Sequence, residues 1–237
     1  MKAMIFAAGL GTRLKPFTEN HPKALAIVNG KTLLERNIQY LKSFGINDIV
    51  INIHHFGQQI IDFLKYHNYF DCQIEISDER EAVLETGGGL KKAEPFLQEN
   101  SFLLMNVDIL TDLDLNSMIR FHEQYQPLVS LAVSDRNSSR KLFFSNNSLV
   151  GWSNLTSGDS VFKDGFSLSD TDAFAFSGIH VVNPKLFKLM QERGKYSIIK
   201  TYLDIMETQN ILGYKHSAQL IDVGKPESIQ EAEKYFA

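Results

Sequence analysis

Cysteine is almost absent from this 237-residue chain. Cys72 stands alone, which excludes an intrachain disulfide and a cysteine-based zinc site. No apolar run approaches the roughly 18 residues of a membrane span. The apolar opening Met1-Lys-Ala-Met-Ile-Phe-Ala-Ala8 is too short for a secretory signal, so a cytoplasmic protein is the expectation. Positive charge is not in excess either: the formal net charge is −4 with dispersed basic residues, which recommends no nucleic-acid surface. No Gly-x-Ser-x-Gly or Ser/Cys-His arrangement points to hydrolytic nucleophilic catalysis. With no repeat, linker or low-complexity tract, residues 1–237 read as one domain.

What is present is an alternation of β-like and helical segments. Residues 2–7 read as a buried strand, and 32–44 carry Leu33, Leu34, Ile38, Leu41 and Phe44 at helical spacing before Gly45. Strands follow at 48–53, 73–76, 102–107 and 128–133, separated by helices at 57–66, 87–96 and 115–125. Such alternation predicts a Rossmann-like α/β fold, a mostly parallel sheet with helices on both faces. After Ser134 the pattern changes. Residues 140–168 are rich in Ser, Asn, Asp and Gly, so 135–170 reads as a small β insertion, with β-like runs over 142–144 and 149–152 forming a hairpin or meander. A strand at 174–182, helices at 184–192 and 198–208, a strand at 219–223 and a helix at 227–236 complete the chain.

In such a sheet, polar residues just beyond the strands' C-terminal ends face the ligand. Four segments fit. Ala7-Ala-Gly-Leu-Gly-Thr-Arg13 leaves the first strand as a Gly-x-Gly loop whose amides can approach phosphate, with Lys23 shortly after. It lacks the third glycine of the dinucleotide motif and the Gly-Lys-Ser/Thr of a P-loop, so alone it is equally a tight turn. Glu85-Thr-Gly-Gly-Gly89 opens a helix, either as a flexible loop or as a backbone surface for a flat base. Asp108 and Asp222 each end an apolar strand. Each is a turn former or cap on its own; together they are candidate Mg²⁺ ligands, since Mg²⁺ uses one or two carboxylates plus substrate phosphates. His54 and His55 lack a third ligand at metal spacing, and Trp152, Phe143, Phe144 and Phe162 suit core packing better than a sugar site.

The segments Ala7-Ala-Gly-Leu-Gly-Thr-Arg-Leu-Lys-Pro-Phe-Thr18 and Pro22-Lys-Ala-Leu25 resemble the signature of the sugar-1-phosphate nucleotidylyltransferases, a strand followed by Ala-Gly-Gly/Lys-x-Gly-Thr-Arg-Leu-x-Pro-Leu-Thr and then Pro-Lys-Pro-Leu. The likeness runs from Met1 to the final helix and is weakest across 135–170. Glu85-Thr-Gly-Gly-Gly89 and Asp222-Val-Gly224 look most like the short uridylyltransferases acting on N-acetylmuramate 1-phosphate. Mannose and heptose 1-phosphate guanylyltransferases share a similar N-terminal half, and a non-catalytic nucleotide-sugar sensor on the same fold is a further alternative.

The resemblance implies a nucleoside triphosphate, UTP foremost, and a sugar 1-phosphate as substrates, with Mg²⁺ as cofactor. It implies catalytic roles for Arg13, on the β/γ-phosphates, and Lys23, bridging the reacting phosphates. Asp108 and Asp222 would hold the metal. Gly9, Gly11 and Thr12 would meet phosphate, while Ala7, Ala8, Glu85, Thr86 and Gly87 would surround base and ribose. Asn154, Ser177 and Gly178 are the sugar-side candidates. Two departures stand out: Asn106-Val-Asp108 replaces Asn/Asp-Gly-Asp, and Ala24 replaces the second proline of Pro-Lys-Pro.

Overall fold

The computed structural model describes residues 1–167, 169 and 171–236. Its first half runs β1 (Ala3–Phe6), β2 (Ile27–Val28), β3 (Lys31–Thr32), α1 (Leu33–Ser43), β4 (Asp48–Ile53), α2 (Gly57–Tyr66), β5 (Gln73–Asp78), α3 (Glu85–Lys92), α4 (Glu94–Leu97) and β6 (Phe102–Asn106). The second half runs β7 (Ile109–Thr111), α5 (Leu115–Tyr125), β8 (Val129–Ser134), β9 (Arg140–Ser145), β10 (Ser148–Asn154), β11 (Ser160–Phe162), β12 (Asp172–Val182), α6 (Ile198–Ile205), β13 (Ile211–Lys215), β14 (Leu220–Asp222) and α7 (Pro226–Tyr235). Among the described residues no helix is long and apolar enough to cross a membrane.

Local chemistry accounts for the element ends. Thr32 caps α1, its Oγ1 accepting from Glu35 N at 3.0 Å, and Leu33, Leu34, Ile38 and Leu41 form the buried stripe behind it. The helix expected over 87–96 starts earlier, at Glu85, and is interrupted where Pro95 opens α4. The helix expected over 184–192 shrinks to one 3-10 segment, Pro184–Lys188. Beyond it the chain is drawn against α3, Tyr196 N donating to Leu84 O at 3.1 Å.

Strands β6, β1, β4 and β5 lie side by side and parallel, linked by helical crossovers. The sheet is mixed beyond β6: β12 runs antiparallel to both β6 and β8, β8 is parallel to β13, and the 135–170 region adds β9, β10 and β11 as an antiparallel meander. Parallel pairing is thus confined largely to the N-terminal half, where a helix separates β1 from β4, β4 from β5 and β5 from β6. The later strands include a hairpin that needs no crossover. The two-residue period of β1 sends Ala3 and Ile5 into a core with α1, α2 and α5, and Met4 and Phe6 into a second core with α3, α4 and α6.

The order β6-β1-β4-β5 carries a functional consequence. The chain moves outward from β1 through β4 to β5, then returns to place β6 on the other side of β1. The loops leaving β1 and β6 therefore part in opposite directions, and a crevice opens at their C-terminal ends.

Candidate active site

That crevice is a cleft of about 710 Å³ lined by residues of the β1 loop, the α3 start, the β6–β7 turn and the segment before α6. Its floor is anchored from below. Asn52, 2% exposed near the end of β4, accepts from Ala7 N at 2.7 Å and donates to Glu79 Oε1 at 2.7 Å. Burial raises the Glu79 carboxyl above its ordinary pKa, opposed by the Asn52 bond. Gly89 lets this pair approach α3, because a Cβ there would lie 2.7 Å from Glu79 Oε1.

The loop itself turns at Gly11, whose φ of +63° suits glycine. Gly11 O accepts from Leu14 N at 2.8 Å and from Thr18 Oγ1 at 2.9 Å. A Cβ at Gly11 would stand 3.0 Å from Lys23 Cβ, so its absence lets the Lys23 stem pass against the loop. Gly9 has open space around it and faces the cleft.

Lys23 is buried, and its Nζ is bonded to Asp108 Oδ2. Asp108 is brought near Asp222 by a separate two-stranded ribbon. Strand β7 pairs antiparallel with β14, Ile109 opposite Asp222, and Val223 N donates to Asp108 O at 2.8 Å. Burial and the neighbouring Asp108 raise the Asp222 pKa, with Lys23, Arg13 and Arg136 opposing. Its Oδ1 is buried with no hydrogen-bond partner among the described residues. The Arg13 guanidinium and Asp222 Oδ1 each lie 2.7 Å from where a Gly224 Cβ would be. Only glycine at 224 leaves room for both.

These carboxylates fit a divalent cation. The orphaned oxygen of Asp222 and its raised pKa mark a site short of positive charge. Two carboxylates suffice for Mg²⁺ when substrate phosphates supply further oxygens. Among the described residues no group of three or more acidic, His or Cys side chains forms an all-protein metal cage.

Glu85 and Thr86 line the cleft, and Glu85 lies 3.5 Å from Lys195 Nζ. Thr86 Oγ1 accepts from Ile198 N at 3.0 Å, tying the start of α3 to that of α6. The three glycines do something other than offer a flat surface. Gly87 N donates to Tyr196 O at 2.8 Å, and a Cβ at Gly87 would meet the Tyr196 ring at 2.3 Å; one at Gly88 would meet Gly194 O at 2.0 Å. Gly87 is therefore packed behind the cleft wall and does not line it. The triple glycine is a close-packing device joining α3 to residues 194–196.

The sugar-side candidates also lie off the cleft lining. Asn154 closes the turn after β10, its Oδ1 accepting from Thr156 N at 3.1 Å. Its cross-strand neighbour, Arg140, lines the cleft instead. Ser177 is fully buried and shares a 2.9 Å hydrogen bond with His216. Gly178, at φ +74°, sits where the β12 register shifts, and a Cβ there would crowd Ile109 at 2.8 Å and Asn106 at 3.1 Å. It shapes the floor through Asn106 and presents nothing of its own.

Ala7, Ala8, Gly9, Gly11, Thr12, Arg13 and Lys23 all line the cleft, as does Asp108; Asp222 stands just behind Gly224. Sequence reasoning missed three supporting residues: Asn37, Asn52 and Glu79. Asn37 donates to Val107 O at 2.8 Å and so holds the turn that replaces Asn/Asp-Gly-Asp. A legible signal existed for two of them, a lone amide within an otherwise apolar stripe or strand, since buried amides need partners.

Residues 2–142 match the model of the nucleotidyl transferase family. N-acetylmuramate alpha-1-phosphate uridylyltransferase of Neisseria meningitidis serogroup B is 32% identical over 236 residues, covering 98% of this chain and 97% of the relative. The Caulobacter vibrioides enzyme of the same name is 40% identical over 108 residues, 45% of each chain. Among solved structures, HddC from Yersinia pseudotuberculosis complexed with GMP-PN superposes with a TM-score of 0.80 at 22% identity, covering 100% of this chain and 99% of that one. This last likeness shows the fold.

Proposed function

Because the chain belongs to the nucleotidyl transferase family, we propose that it transfers uridylyl from UTP to a sugar 1-phosphate, N-acetylmuramate 1-phosphate foremost, releasing pyrophosphate. The acceptor's phosphate oxygen forms the new bond to the α-phosphorus of UTP as the bond to pyrophosphate breaks. With a second phosphate pKa near ~6, the acceptor is largely ionised at neutral pH and needs no strong base. Positioning and charge neutralisation then dominate.

Each residue has a role in this reading. Arg13 and the amides of Gly9, Gly11 and Thr12 take the triphosphate, and Arg13 draws charge onto departing pyrophosphate. Lys23 exchanges Asp108 for the reacting phosphates. Ala7, Ala8, Glu85 and Thr86 border base and ribose. Asp108 and Asp222 are the residues that would hold Mg²⁺, whose chemistry is to offset phosphate charge.

The observation that carries the reading is the convergence at one cleft of a glycine-turned loop, Arg13, Lys23, Asp108 and, just behind the lining, Asp222, whose buried Oδ1 lacks a partner among the described residues. The test is pyrophosphate release with UTP, GTP, CTP and dTTP against a panel of sugar 1-phosphates. Release is expected with UTP and N-acetylmuramate 1-phosphate. Lys23→Ala and Asp108→Ala should each lower kcat at least ~100-fold, the scale of one lost transition-state contact. Near-normal turnover in both folded variants would defeat the assignment.

A further inference from the structure

The cleft wall carries the cations Arg13, Lys23, Arg140 and Lys195. Three already face a carboxylate: Lys23 is bonded to Asp108, Lys195 lies 3.5 Å from Glu85, and Arg13 shares the space over Gly224 with Asp222. Arg140 differs. Its backbone N–H goes to Ser138 Oγ at 3.2 Å, and its guanidinium has no hydrogen bond or ion pair among the described residues.

The loop that presents Arg140 is braced on three sides. Arg136 donates to Phe176 O on β12 at 2.7 Å, Lys141 Nζ donates to Arg136 O at 2.9 Å, and Leu155 N donates to Ser139 O at 2.7 Å. Burial lowers the Arg136 pKa, opposed by Asp222, consistent with a half-buried strut. The fork at the mouth of the cleft thus stands on a fixed base, and less freedom is lost when it closes on a ligand.

Sheet order says which ligand. The elements assigned to the nucleotide leave β1 or open α3. Arg140 heads β9, which pairs with β12, on the far side of β6 from β1. Two anionic substrates must meet in this cleft, and the triphosphate side is already supplied with Arg13 and Lys23. The geometry points to Arg140 as the acceptor-binding residue that grips the phosphate of the acceptor, a phosphomonoester, by paired N–H donors. This assignment rests on the nucleotidyl-transfer reading.

The test compares wild type with Arg140→Gln and Arg140→Lys, using whichever acceptor and triphosphate the wild type turns over. Arg140→Gln should raise KM for the acceptor about 10- to 100-fold, the range for losing charge-assisted hydrogen bonds. KM for the triphosphate and kcat at saturation should stay within about twofold. Arg140→Lys should recover part of the acceptor KM, since it restores charge but not the fork. The side chain is exposed, so all three proteins should melt together. An unchanged acceptor KM, or a rise in triphosphate KM instead, overturns the assignment while leaving nucleotidyl transfer intact. No pyrophosphate from the wild type with any pair overturns the nucleotidyl-transfer reading, and this assignment with it.

Discussion

Replacing Asp222 by asparagine should make the metal-free protein more stable and less active. The carboxylate sits behind Gly224 with a buried, unpartnered Oδ1 beside a second carboxylate, and its pKa is raised by burial and by Asp108. A raised acid pKa means that the folded state holds this proton to higher pH than the unfolded chain does. Stability is therefore lost as pH rises from the unfolded value near ~3.9 through the folded one, and the deficit persists above it. Asparagine keeps the shape and cannot ionise, so it removes the deficit.

The gain is on the order of 1 kcal/mol, the usual scale for relieving a strained functional site. For a chain of this length that is a rise in melting temperature of roughly 2–4 °C. Urea unfolding in EDTA at pH 4 and at pH 7.5 checks it: the two proteins should be closest in acid and diverge as pH rises. Pyrophosphate release should meanwhile fall at least ~100-fold. An asparagine variant less stable than wild type at pH 7.5, or a stability gap that ignores pH, would refute the reasoning.

The glycines offer a paired contrast. Gly88→Ala forces a Cβ to 2.0 Å from Gly194 O, so it should cost about 2 kcal/mol or more by denaturant titration. Gly9→Ala meets nothing within 4 Å and should leave stability within about 0.5 kcal/mol while raising KM for the triphosphate. Two buried histidines set the acid limit. Burial lowers the pKa of His180 to about 3 and of His122 to about 4. Both remain neutral in the folded protein where the unfolded chain binds protons. Stability should therefore fall as pH drops below about 6.5, with these two sites contributing a slope of about two protons between roughly pH 4 and 6; potentiometric titration of folded and unfolded protein checks this.

Much of the fold was legible because its signals are local. The apolar period of residues 33–44, the β-branched run 48–53 and the small residues after β1 are each written within a dozen positions. Among the elements missed, β2, β3 and β11 are only two or three residues long, while β13 and β7 depend on a distant partner. Gly213 interrupts β13, yet it is what lets the strand pass the Phe144 ring, 2.9 Å from where a Cβ would be. Strand β7 is three residues long and exists because β14 pairs with it.

The sequence by itself determined the Gly-x-Gly loop after β1, its two cations, the two strand-end aspartates and the α/β alternation, since each is a matter of residue type and short spacing. Only the tertiary structure decided that the triple glycine packs against residues 194–196, that Asn52 and Glu79 anchor Ala7 from below, and that Arg140 lines the cleft where Asn154 does not. Those contacts join segments far apart in the chain. Their geometry follows from strand order and register, where moving one residue along a strand turns a side chain to the opposite face.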